Sequence, residues 1–380
     1  MKLFQRLLVA PAVLGLFSPL AANATEVNLN AISDYSGEEL ELDLNSFKSF
    51  SNKKPLLISG GEGLIDDVDS FSTTTTASFS ADFAIGGAGV EGSTTTAETV
   101  MAGYGFQIDL NTSFTGEDSF DVSLDAGNAG TDGVAEFDLN SGGDGLTVDG
   151  ISYTFPVGGA TVLVGDTVDG SSLFSTACVY GGPSNTLDDC GNVNAAFVGS
   201  GTTLAASYDF DNGFTAALGY AGDGASTSGL MTSQGSDSYG ANVAYTADTY
   251  GVSVSYAMVE DASGIDDTYT ALNAYWTPDG FPSISAGYEW GDDGSAASTA
   301  DELTSYFVGI ETEVGPGTAG AALGTKTPTV EGSSELLMYE AFYTYPINDG
   351  MSITPLIYVK ENVAGTNDET GVMVKTSFSF

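Results

Sequence analysis

The sequence predicts an all-β fold, a transmembrane antiparallel up-and-down β-barrel of about 16 strands with short periplasmic turns and long external loops. Three observations predict it. The chain opens on an export leader. From about residue 72 onward its apolar residues recur at every second position. Its turn-forming residues are separated by links that alternate short and long.

The leader comes first. Lys2 and Arg6 give a basic start, Leu7 to Phe17 form a short apolar run, and Ala22-Asn23-Ala24 supplies a small-x-small cleavage site. The run is too short for a membrane helix, so residues 1–24 read as a signal peptide and the mature chain is expected to start at Thr25. Residues 25–71 alternate poorly and carry Glu38, Glu39, Glu41, Asp43, Lys48, Lys53 and Lys54. They read as a polar periplasmic extension ahead of a barrel over 72–380.

Within that barrel region the period is two. Val100, Ala102, Tyr104, Phe106, Ile108, Leu110 and Phe114 share one face, while Gly103, Gly105, Gln107, Asp109, Asn111 and Ser113 share the other. Phe120, Val122, Leu124 and Ala126 oppose Ser119, Asp121, Ser123 and Asp125. Tyr306, Val308, Ile310 and Val314 oppose Ser305, Glu311 and Glu313. Alternation also fits a soluble sandwich. A polar face built from Gly, Ser, Thr and Asp and an apolar face rich in Tyr, Phe and Val suit a wet lumen and a lipid exterior instead.

Tight turns fall at Asp211-Asn212-Gly213, Pro278-Asp279-Gly280, Gly315-Pro316-Gly317 and Asn348-Asp349-Gly350. Short links also fall near Thr115-Gly116-Glu117, Gly158-Gly159 and Asp248-Thr249. Longer polar loops lie near 86–98, 128–148, 166–193, 221–237, 260–267, 290–302, 325–334 and 361–369. The chain ends with Val372, Val374, Thr376, Phe378 and Phe380 on one face. A terminal Phe on such a strand looks like the signal read by the bacterial barrel-assembly machinery.

Charge excludes several functions. The chain carries 51 Asp and Glu against 8 Lys and Arg, and loss of the leader removes two of those bases and no acid. Nucleic acid is excluded as a partner, because its phosphates would be repelled. Histidine is absent, which removes His-based nucleophilic catalysis and His-ligated zinc, so no enzyme is expected. Cys178 and Cys190 in an exported chain are expected to pair.

With the apolar faces toward lipid, Asp82, Asp109, Asp121, Asp125, Asp209, Glu311 and Glu313 point into the lumen, where focused negative potential favours cations. Lys360 and Lys375 fall on the lumen faces of the last two strands and are expected to be neighbours. They form either a basic spot on an acidic wall or local pairs with nearby acids. The third long loop holds Cys178, Cys190, Asp188 and Asp189. It either folds inward as a constriction, with Asp166, Asp169, Asp188 and Asp189 near it, or stays external, stapled against proteolysis. Gly87-Ala88-Gly89-Val90-Glu91-Gly92 matches GxGxxG but opens no helix, so it does not signal a dinucleotide site. Ser141-Gly142-Gly143-Asp144-Gly145 faintly matches a calcium-binding repeat and occurs once. No cofactor is expected, although acidic loops offer oxygen ligands that can hold calcium or magnesium loosely and bridge to lipopolysaccharide.

Three segments carry a family resemblance. Leu7-Leu8-Val9-Ala10-Pro11-Ala12-Val13-Leu14-Gly15 looks like the leader of the cyanobacterial outer-membrane porins. Asn111-Thr112-Ser113-Phe114-Thr115-Gly116-Glu117-Asp118, running on to Leu124-Asp125-Ala126-Gly127-Asn128, resembles their hairpin, and Ile151-Ser152-Tyr153-Thr154-Phe155-Pro156-Val157-Gly158 resembles their next strand and turn. The resemblance implies a trimeric diffusion porin for ions and small solutes, iron and sugars among them. There are two departures. No match to the family's surface-layer homology domain falls in 25–71, and Asp121, Ser123 and Asp125 stand where the family tends to carry arginines. The expected function is a passive outer-membrane channel favouring cations. The alternative is a structural or adhesive barrel with a plugged lumen.

Overall fold

Strict alternation lets each strand bury one face and leave the other exposed, and a closed sheet is the form that leaves no unpaired edge. The computed structural model describes residues 74–90, 100–130, 134–137, 139–140, 142–260, 265–294, 301–362 and 367–380. The leader and the whole of the polar extension precede residue 74, outside this set. Sixteen wall strands run β1 (Thr75–Val90), β2 (Met101–Thr112), β3 (Ser119–Gly127), β4 (Gly143–Val157), β5 (Ala160–Asp169), β6 (Ser200–Asp209), β7 (Phe214–Gly222), β8 (Asp237–Thr246), β9 (Tyr250–Glu260), β10 (Asp266–Trp276), β11 (Ser283–Asp292), β12 (Glu302–Val314), β13 (Gly317–Thr325), β15 (Leu337–Asn348), β16 (Met351–Lys360) and β17 (Glu369–Ser379). The two-residue β14 (Thr329–Val330) only extends the pairing of β12.

Each strand pairs antiparallel with its sequence neighbour, and β1 pairs with β17 to close the ring. At the seam, Phe79 and Phe380 exchange both backbone hydrogen bonds, at 2.9 and 3.0 Å, and stack their rings at 6.4 Å.

All seven expected short links join strands at one end of the barrel, and the long loops lie at the other. Glycines enable the tightest links: Gly158 and Gly315 both take φ of 63°, a left-handed value that side chains disfavour. Some boundaries shift from the sequence reading. Residues 86–90 belong to β1 rather than to a loop. Gly86 is required there, since a Cβ would lie 2.4 Å from the Met373 side chain opposite.

The exterior carries the apolar face, with Phe83, Ile85, Leu204, Leu218 and Val372 each more than half exposed. Aromatic rings crowd the turn end: Phe114 packs on Phe120 and Tyr153, Tyr208 on Phe210, and Phe214 on Tyr245. This matches the aromatic girdle and apolar band of a membrane barrel.

Candidate pore and its inserted loops

The register sets the interior face. Asp82 lies opposite Gly105 and Ser377, Asp109 opposite Ser123, Asp121 opposite Asn111 and Ser152, and Asp125 opposite Gln107 and Thr147. These four carboxylates share one wall, β1 to β3, and remain partly exposed. Neutral donors hold three of them. Gln107 Nε2 and Ser123 Oγ donate to Asp109 at 2.5 and 2.8 Å, Asn111 Nδ2 and Ser119 Oγ to Asp121 at 2.6 and 2.7 Å, and Thr147 Oγ1 to Asp125 at 2.7 Å. A bulge in β4 adds Asp149, close enough to Asp125 and Asp109 for their charges to interact. Asp209 sits on the interior face at the turn end and accepts the Asp211 N–H at 2.8 Å.

The opposite wall is covered by chain. The third long loop, 170–199, turns back into the barrel and is gripped by inward side chains of successive strands. Asn242 of β8 accepts from Ser175 N at 3.0 Å and donates back to Ser175 O at 3.2 Å. Ser253 of β9 accepts from Ala177 N at 2.8 Å, and Ser285 of β11 from Val179 N at 3.0 Å. Asn273 of β10 donates to Cys190 O at 2.9 Å and accepts from Asn192 Nδ2 at 3.0 Å. Glu289 of β11, 2% exposed, accepts Asn194 N, Asn194 Nδ2 and Ala195 N within 2.8 Å. Glu311 of β12 accepts from Gly181 N at 2.7 Å, and Glu340 of β15 from the Tyr180 hydroxyl at 2.6 Å. The Cys178–Cys190 disulfide, with Cα atoms 6.4 Å apart, closes the loop's middle.

Wall glycines make room for this chain. A Cβ on Gly287 would lie 1.9 Å from Cys190 O, and one on Gly219 1.8 Å from Gly170 O.

The second long loop enters beside the third. Val134 and Phe137 are fully buried, and Glu136 joins three parts of the fold. Its carbonyl accepts from Asn185 N at 2.8 Å, its carboxylate accepts from Thr186 N at 3.1 Å, and it pairs with Lys360 of β16. Phe137, Tyr180, Leu187, Phe307, Met338, Phe342, Leu356 and Met373 then form an apolar core inside the barrel. Tyr180 contacts the rings of Phe307 at 5.1 Å and Phe342 at 5.9 Å. The barrel interior is therefore two-sided toward its turn end: a loop-filled part along β7 to β17, which the second loop continues over the loop end of β1 to β3, and an acidic wall along the rest of β1 to β4.

Two sequence expectations are corrected. Asp166 belongs to β5, not to the loop. The strand runs on to Asp169 by pairing with Ser200–Thr203, and Asp166 takes the outward position opposite Ile151, where Thr202 Oγ1 donates to it at 2.8 Å. Lys360 and Lys375 both face inward but are not neighbours. Lys360 lies opposite Glu369 and Lys375 opposite Thr354, about 20 Å apart along the sheet. Asp169 stands where the loop begins, its carbonyl accepting from Ser172. Asp188 and Asp189 lie within the inserted loop, half-buried. Glu313, exposed near the turn end, accepts from Thr318 Oγ1 at 3.0 Å.

Asn242, Asn273, Glu289, Glu340 and Glu136 were not singled out from sequence. The two-residue period does place the first four on inward positions, but no local signal separates a wall residue that meets water from one that meets a returning loop. Among the described residues no group of three or more ligand-type side chains converges at metal-binding spacing.

No protein-family model and no curated protein matches the chain. Solved structures do. An anion-selective porin of Comamonas acidovorans superposes with TM-score 0.60 at 15% identity, over 81% of this chain and 99% of that one. OprB of Pseudomonas putida gives 0.59 at 10% identity, over 81% and 94%. A variant of the Rh. blastica porin gives 0.52 at 18% identity, over 80% and 100%. At such identities the likeness is one of fold.

Proposed function

We propose that this chain is an outer-membrane diffusion channel for ions and small hydrophilic solutes, favouring cations. The carrying observation is the two-sided interior. Inserted loops narrow the lumen from one side and leave partly exposed Asp82, Asp109, Asp121 and Asp125 on the other. Residues 72–380 contain three bases, Lys326, Lys360 and Lys375. Lys326 ties two loops together through Glu361 O and Asn362, Lys360 is neutralised by Glu136, and Lys375, on β17 beside β1, faces the Phe137 ring of the second loop. Uncompensated carboxylates along a narrow aqueous path concentrate cations.

The test is conductance of the purified protein in planar bilayers. Stepwise currents with a reversal potential displaced toward the cation potential support the channel, and a displacement toward the anion potential rejects the preference. A second reading, a structural barrel with a closed lumen, draws on the apolar core between the two loops, and membranes that stay silent at high protein concentration favour it. The absence of histidine supports a non-enzymatic role. A homotrimer, assembly through Phe380, and loose calcium or magnesium bridging of acidic loops to lipopolysaccharide belong to the same proposal, and crosslinking in native membranes tests the first.

A further inference from the structure

Three successive inward positions of β11 each take part of the third loop. Ser285 accepts from Val179 N, Gly287 leaves room for the Cys190 carbonyl, and Glu289 takes the limb that leads from the disulfide to β6. That limb, residues 191–199, also meets the wall through Asn192, whose Nδ2 donates to Ser255 at 3.3 Å and Asn273 at 3.0 Å. Those partners are neutral. Glu289 is a carboxylate, 2% exposed. Its Oε2 accepts Asn194 N at 2.8 Å and Ala195 N at 2.7 Å, and its Oε1 accepts Asn194 Nδ2 at 2.8 Å. Asn194 opens a turn that Phe197 N closes on Asn194 O at 3.0 Å, so Glu289 caps this turn from across the sheet. The titratable groups that act on it are Asp189 of the loop and Tyr269 of β10. Its direct cross-strand neighbours, Ala271 and Ser305, carry no charge. Both titratable neighbours are acids, and among the described residues no ammonium pairs with Glu289. Three N–H dipoles therefore balance its charge. A protonated carboxyl would turn one of those acceptor oxygens into a donor and leave an N–H without a partner.

We propose that ionised Glu289 is the positioning residue for the outgoing limb of the third loop, and that acid loosens this limb by protonating it. The link to current rests on the channel reading above, because the loop narrows the lumen. The hold is complete while the carboxylate is ionised and is lost as pH falls through its titration.

Two measurements test this. Chymotrypsin at about pH 8 reads the limb without current, through cleavage after Phe197 located by mass spectrometry. Glu289→Gln should raise that rate about tenfold or more, as expected for loss of a charge-assisted hydrogen bond, with cleavage after Phe174 on the ingoing limb unchanged. Single-channel recordings from about pH 7 to about pH 3 read the limb through open-channel noise, across the range in which carboxylates titrate. Wild-type noise should rise as pH falls. Glu289→Gln should be noisy already at neutral pH, with most of the acid-induced rise gone. Asn194→Ala removes one donor and keeps the charge, so the ionised form is less favoured and the rise should move to higher pH. A residue with a packing role alone would give Glu289→Gln extra noise at every pH and an unchanged acid profile. That result, wild-type noise that stays flat, or unchanged cleavage after Phe197 would each overturn the proposal. If Glu289→Gln fails to assemble, the direction of the Asn194→Ala shift decides. A silent bilayer together with the expected cleavage pattern would count against the channel reading alone.

Discussion

Gly287 faces the Cys190 carbonyl at a distance that admits no side chain, because a Cβ there would lie 1.9 Å from that oxygen. Gly287→Val therefore forces the third loop to yield, at a cost of about 1–3 kcal/mol. The expected outcome is higher single-channel conductance together with faster proteolysis within 170–199, read by recordings and limited digestion. Asp118 closes the first short turn in a different way. It accepts from Ser113 Oγ, Phe114 N, Thr115 N, Thr115 Oγ1 and the Tyr153 hydroxyl, all between 2.6 and 3.0 Å. The Tyr153 bond first, and then those from Thr115 and Ser113, hold its carboxyl well below the usual carboxylate range. A depressed folded pKa stabilises the fold above the unfolded value, about 3.9, and that contribution disappears as pH falls through the lowered value. Urea unfolding from pH 7 to pH 2 should thus show Asp118→Asn less stable than wild type by a constant margin down to about pH 4, with the margin narrowing only below that.

The inserted loop shows what alternation can and cannot say about an element. Period two put Asn242, Asn273, Glu289 and Glu311 on the inner face, and the structure sets them there against the loop backbone. The same rule gives no reason for Phe307, Met338, Phe342, Leu356 and Met373 to face inward, since it assigns apolar side chains to lipid. They face inward because loops two and three bring their own apolar residues, Phe137, Tyr180 and Leu187, to meet them. A long-range encounter of that kind leaves no local mark. The staple was legible from two cysteines in an exported chain, and it acts on the same element. Cys178→Ser removes a closure over 12 residues, and the chain-entropy relation assigns such a closure about 3 kcal/mol. The expected result is noisier current and faster loop cleavage, with the wall strands unchanged by circular dichroism. Equal noise in wild type and variant would mean that the wall bonds alone hold the loop.

At the scale of the whole molecule, the strand count, the seven tight links and the closure of β17 were readable because turn residues and alternation are local. The division of the interior into an acidic half and a filled half was not, because it depends on which loops return. That division locates the selectivity test. Replacing Asp121 and Asp125 together by Asn should lower the cation-to-anion permeability ratio by roughly twofold or more, measured from reversal potentials in a salt gradient, with single-channel conductance nearly preserved. An unchanged ratio would move the selective element to the loop-bearing side. The seam sets the order of events during assembly. Because β1 and β17 are each other's partners from Ser80 to Val90, no ring can form before the strand Glu369–Ser379 has been made. Until then an open ribbon presents two bare edges, each a template for a second chain. Losing the last strand should therefore yield aggregates rather than a smaller barrel, read by light scattering of the refolded protein.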